Sequence, residues 1–195
     1  MSVSDGTIAD DRRRFALPPW VVAVVSGAVV SLLIGTYART HDRTNRPLFG
    51  FDPSSRQMIT FKAWFTALAL FFALIQVLTA LRMYGKLPYP KVAPSWLGTL
   101  HRLTGTLAYL AVLPVAYHCL WALGFEARAS VTRAFVHSIA GCFFFGAFTA
   151  KMISVRSHRM PGWALPVFGG LTFAALTVLF LTSSLWFWTD FSIVG

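Results

Sequence analysis

The chain has 195 residues, of which 56% are hydrophobic and only 12% charged, against about 25% charged in an ordinary soluble domain. With 17 Lys and Arg against 7 Asp and Glu, the formal net charge is +10. Long uncharged runs exclude a soluble fold, and basic residues scattered over the ends of those runs, instead of gathered in a stripe, exclude a nucleic-acid partner.

Residues 1–19 read as a cytoplasmic N-terminal tail that contains Arg12, Arg13 and Arg14. That charge resembles the flank of a signal peptide, but the apolar run that follows lacks a small-residue cleavage site, so an uncleaved helix is expected. Residues 20–195 then form one all-α integral membrane domain, a five-transmembrane-helix bundle. Its helices are expected at about 20–38, 61–83, 97–123, 131–155 and 163–188, each long enough for a ~20-residue crossing.

Helix one carries Gly27, Ser31 and Gly35 at four-residue spacing, a small-residue stripe suited to close packing. The connection Arg39–Thr60 is the longest and is expected to fold over the outer face. It holds His41, read as a solvated residue beside Asp42. Gln76 lies deep in helix two and is expected to bond to a neighbouring helix or to touch a cofactor. The connection Met83–Trp96, with Gly85, Pro88, Pro90 and Pro94, reads as stiff and irregular. Glu126–Ser130 is a tight turn, which makes helices three and four antiparallel neighbours. Pro161–Gly162 breaks the chain before helix five.

The seven tryptophans fall at or near helix ends, as an aromatic belt requires. Placing the N-terminus in the cytoplasm puts ten Lys and Arg on the inner side and seven on the outer. That balance favours a multi-pass protein of the plasma membrane in this orientation. Cys119 and Cys142 lie inside apolar segments and read as small buried residues. No Cys-x-x-Cys-His occurs, which excludes covalent c-type haem attachment.

Four of the five histidines lie on or beside helices three and four, in mirrored order. Ionisable groups in a bilayer are expensive and point to function. His118 and His137 are equidistant from the middle of the short turn, so an antiparallel hairpin brings them to one depth near the outer face. Two imidazoles at one depth can take the two axial positions of a haem iron. His101 and His158 form the matching inner pair, but His158 lies four residues farther from the turn midpoint, an offset of about 6 Å. Around an ideal helix His101 and His118 are about 100° apart, and His137 and His158 about 60°. Pro114 can kink and rotate helix three between its two histidines.

Gly105 follows His101 by four residues, and Gly141 follows His137 by four. Residues at that spacing share a helix face, so each glycine leaves room for a porphyrin beside its histidine, or equally for a close neighbouring helix. Arg133 stands one turn from His137 toward the outer surface, and Arg102, Arg156 and Arg159 flank the inner histidines. Their planar forks suit haem propionates, although each also serves as a topology anchor. The metal ligands expected are therefore His118, His137, His101 and His158, with Gly105, Gly141, Arg133 and Arg102 lining the cofactor.

On the segments HRLTGTLAYLAVLPVAYHCLW and VHSIAGCFFFGAFTAKM the chain resembles the di-haem transmembrane cytochromes b, of the b561 and ferric-reductase-like group. The resemblance covers about residues 97–155. Overall, the sequence also looks like an actinobacterial family of small five-helix membrane proteins. Placing all four ligands on two helices is similar to the ferric-reductase-like arrangement, but the spacings here are longer. His101-Arg102-Leu103-Thr104-Gly105 is similar to a motif of succinate dehydrogenase membrane anchors that borders a quinone site. These resemblances imply one or two haems b between helices three and four, with quinone as a further candidate cofactor. They imply electron transfer within or across the membrane, to or from a redox partner protein or quinone. The rival expectation is a non-catalytic scaffold subunit of a larger complex, with its histidines bonded to backbone or at the interface; a small transporter that relays protons is the third.

Overall fold

A computed structural model describes residues 17–44, 49–52, 55–88 and 94–191. Most of the N-terminal tail with its three arginines lies outside the described residues, as do Arg46, Pro47, Pro53, Pro90 and Lys91. The described chain is built of five helices, each long and apolar enough to cross a membrane. They are α1 (Pro19–Thr40), α2 (Arg56–Met83), α3 (Leu97–His118), α4 (Thr132–Arg156) and α5 (Ala164–Phe180). Five is the number of such helices expected from the sequence. The face at which α1 begins is called the near face here, and the opposite one the far face.

Local chemistry sets several ends. Ser55 caps α2 by accepting a hydrogen bond from the Met58 amide at 3.1 Å. Gly85, at φ +68°, follows α2 in a left-handed conformation that glycine adopts without strain. Two helices do not stop where regular α geometry does. α3 continues as a π turn over Cys119–Leu123, and α5 as π turns over Leu181–Leu185 and Phe187–Phe191. Such wide turns often occur at functional sites. Gly124, at φ +70°, closes the first of them, its amide donating to the Cys119 carbonyl at 2.9 Å.

The helices are arranged as an arc in the order α3, α2, α5, α4, α1, each packed closely on the next. α1 meets α4 through the small-residue stripe. A Cβ on Gly27 would lie 2.6 Å from the Gly146 carbonyl oxygen, and one on Gly146 would collide with Ser31. Ser31 also donates to the Cys142 carbonyl at 3.0 Å. The stripe is thus a packing surface. α5 is tied to α2 by the fully buried Ser184, which donates to the Ala63 carbonyl at 2.9 Å.

The arc closes on itself imperfectly. α3 and α4 are antiparallel and joined by a short connection, as expected, but their backbones do not pack along their length. They meet through side chains, chiefly Ala111 and Val112 of α3 around Phe144 of α4, and the stacked rings of Tyr109 and Phe148. Two cavities lie in the space left between them. On the far face the start of the α1–α2 connection is pinned over this gap. Thr44 donates its amide to the Trp121 carbonyl at 2.9 Å, and the Phe125 amide donates to the Ala38 carbonyl at 3.0 Å.

Candidate functional site

The far-face cavity has a volume of about 430 Å³ and takes lining residues from all five helices. That size falls within the range of small-molecule and cofactor sites. Its deep part is apolar, with Val112, Val115, Phe144, Leu176 and Leu179. Its middle carries His118, Cys119, His137 and Cys142. Its rim carries three cations, Arg43, Lys62 and Arg133, and one carboxylate, Glu126.

His118 is the last residue of α3 before the π turn and is 2% exposed. A histidine this deeply buried has been removed from water, a cost that calls for a compensating partner. His137 is half-buried on α4. Its Nδ1 lies 2.8 Å from the Thr182 hydroxyl, inside the π turn of α5. That hydroxyl already donates its single proton to the Val178 carbonyl at 2.7 Å. In the tautomer protonated at Nδ1, His137 donates to this hydroxyl oxygen and keeps Nε2 free. This is the tautomer a metal-binding imidazole needs, held by a partner on its other nitrogen. The Cys119 thiol and both imidazoles line the same cavity.

Arg133 is anchored twice at the rim. It donates to the Thr182 carbonyl at 2.7 Å, and its guanidinium lies 3.8 Å from the centre of the Trp186 ring. Gly141 lines the cavity, and a Cβ placed on it would find only Leu179, at 3.9 Å. Glu126 is held by Arg128 at 2.9 Å on the surface turn.

The other expected site residues stand elsewhere. His101 is turned to α2, with its Nδ1 2.7 Å from the Thr79 hydroxyl. Gln76 donates to the His101 carbonyl and, at 2.8 Å, to the Thr104 hydroxyl. These contacts make Gln76 a helix-to-helix bond and not a cofactor contact. Gly105 is part of the same junction: a Cβ there would lie 2.9 Å from the Gln76 amide oxygen. Arg102 is exposed and bonds to Thr99 at 3.2 Å. His158 is exposed in the turn after α4. His41 stacks on Tyr37 at 4.4 Å and is half-buried, not the fully solvated residue expected. The structure therefore gathers His118, His137, Gly141 and Arg133 around one cavity, and sets His101, Gly105, Arg102 and His158 outside it.

Sequence reasoning missed Thr182, Arg43 and Lys62. Thr182 looks like any other helix threonine until the π turn presents it to α4. Arg43 and Lys62 are far apart from the histidines in sequence and reach the rim through the packing of α1 and α2. Both cysteines, expected as filler, line the cavity. Among the described residues no group of three or more His, Cys, Asp or Glu is placed to hold a metal ion by itself; the site offers a pair of imidazoles.

Fold and site define an all-helical protein with five helices able to span a membrane and one polar-centred cavity open between α3 and α4. The chain belongs to the family DUF6529, a family of unknown function, whose family model matches residues 20–195. No curated protein and no solved structure matches it.

Proposed function

We propose that the far-face cavity holds one haem b between α3 and α4, and that the protein passes electrons within or across the membrane. The observation that carries this reading is the convergence of His118 and His137 on a single cavity, with His137 Nδ1 held by the Thr182 hydroxyl at 2.8 Å. A bound haem would supply reversible one-electron chemistry at its iron.

The chain's own residues fit such a group. His118 of α3 and His137 of α4 would hold its iron. Thr182 would orient His137 and raise its basicity through the Nδ1 hydrogen bond. The apolar floor of Val112, Phe144, Leu176 and Leu179 would exclude water and lower the local dielectric. Arg43, Lys62 and Arg133 at the rim would hold two carboxylates at the membrane surface, where guanidinium and ammonium groups keep their hydration. Gly141 would leave room beside His137 for a planar ring. Electron donor and acceptor would be a redox partner protein or a quinone.

The reading is tested by a reduced-minus-oxidised spectrum of the purified full chain from haem-replete cells. A b-type spectrum lost in His118→Ala and His137→Ala supports it. A colourless and well-folded preparation overturns it and favours a scaffold subunit.

A further inference from the structure

The second cavity lies on the near-face side of the same gap, and nothing in the electron-transfer reading uses it. It is an open groove of about 410 Å³ between α1, α3 and α4, lined by Val30, Tyr109, Phe145, Phe148, Met152 and Arg156, among others. Its long axis follows α4. From Arg156 to Phe145 is eleven residues, or roughly 16 Å of helix. Half the hydrocarbon thickness of a bilayer is about 15 Å. The groove therefore runs from the membrane surface to its midplane, the depth of one acyl chain.

Its two ends differ chemically. The deep end is aromatic: Tyr109 and Phe148 stack at 4.5 Å with an angle of 9° between their planes. The surface end is cationic, with Arg156 exposed and Arg159 following it. Among the described residues Asp42, Asp52 and Glu126 stand at the far face, and none of these carboxylates stands beside Arg156. A long apolar channel with a cation at the mouth matches a phospholipid with an anionic headgroup.

We propose that this groove is a specific site for one anionic phospholipid of the near-face leaflet, its phosphate on Arg156 and one acyl chain against Tyr109 and Phe148. The lipid fills the space where α3 and α4 do not pack. Its chain ends against Phe145, which also lines the far-face cavity, and Phe148 stacks on Phe144, another wall of that cavity, at 6.3 Å. The binding step stands apart from the haem reading and is tested without it.

The experiment is native mass spectrometry of the full chain in detergent, titrated with phosphatidylglycerol, with phosphatidylcholine of the same acyl chains, and with inorganic phosphate. The expected result is one phosphatidylglycerol retained per chain, at least tenfold more tightly than phosphatidylcholine. Arg156→Gln weakens it at least tenfold, and Thr149→Phe, which fills the groove without touching the cation, does the same. Equal retention of the two lipids, or binding unchanged in both variants, overturns the proposal. Displacement by inorganic phosphate at the same concentration also overturns it, because the site then reads an anion and not a lipid.

Discussion

His137 and His101 are held by the same device in different surroundings. Each has its Nδ1 against a threonine hydroxyl of a neighbouring helix, Thr182 at 2.8 Å and Thr79 at 2.7 Å. Each threonine also donates to a carbonyl of its own helix, Val178 and Ile75 respectively. At the far face the held ring opens onto a cavity with a second histidine and a cationic rim. At the near face the held ring is part of a packed junction with Gln76, Thr104 and Gly105. A well-placed partner on an intramembrane histidine is therefore not in itself a mark of a cofactor. Both a ligand and a packing histidine must satisfy their polar atoms where water is scarce. What separates the two ends is space.

The comparison is broken most sharply by removing the rings. His118→Ala and His137→Ala are expected to abolish the haem band of purified protein, and His101→Ala to leave it in place with reduced thermal stability. Loss of the band in His101→Ala as well would erase the distinction between the two ends. The next largest effect is at the threonines. Thr182→Val is expected to weaken haem retention on the order of tenfold, the usual scale for a partner that orients a ligand. Thr79→Val is expected to leave retention unchanged; both are read from the haem-to-protein absorbance ratio after dilution.

The two glycines sharpen the same contrast on a smaller scale. A methyl on Gly105 meets the Gln76 amide at 2.9 Å, whereas one on Gly141 meets only Leu179, at 3.9 Å. Gly105→Ala is expected to cost about 1 kcal/mol by crowding a bonded side chain. Gly141→Ala is expected to leave the apo-protein as stable as before or slightly more so, since alanine favours the helix. Thermal unfolding in detergent measures both.

The smallest effect belongs to the far-face turn. Arg128 hydrogen-bonds the Glu126 carboxyl and holds it down at about 2. A folded-state value below the unfolded value of about 4.3 stabilises the fold above that pH. The contribution is lost as pH falls from there through about 2. Glu126→Gln is thus expected to lower the unfolding temperature slightly at pH 6, to match wild type near pH 2, and to differ less in high salt, because the pair is on the surface.

Much of the architecture was legible in the chain. Apolar runs of about 20 residues leave few alternatives in a bilayer, so the five spans followed from length and hydropathy. The equal distances of His118 and His137 from the Glu126–Ser130 turn placed them at one depth, and the structure brings them to one cavity. The near-face pairing was less legible. His101 points to α2 because Thr79 and Gln76 lie there, and helix order around an arc is not encoded in any local period. The π turns at Cys119 and Leu181 change which side chains face the gap, and no residue pattern announced them. His-x3-Gly occurs twice with two outcomes: Gly141 borders open space, and Gly105 borders Gln76.

The central proposal is that His118 of α3 and His137 of α4 would together hold one haem iron. Electron paramagnetic resonance of the oxidised full chain tests it most directly. A low-spin ferric signal of bis-imidazole type, replaced by a high-spin signal or lost in His137→Ala while unchanged in His101→Ala, is the expected result. A folded protein without any haem signal, or a low-spin signal indifferent to His137, would contradict it.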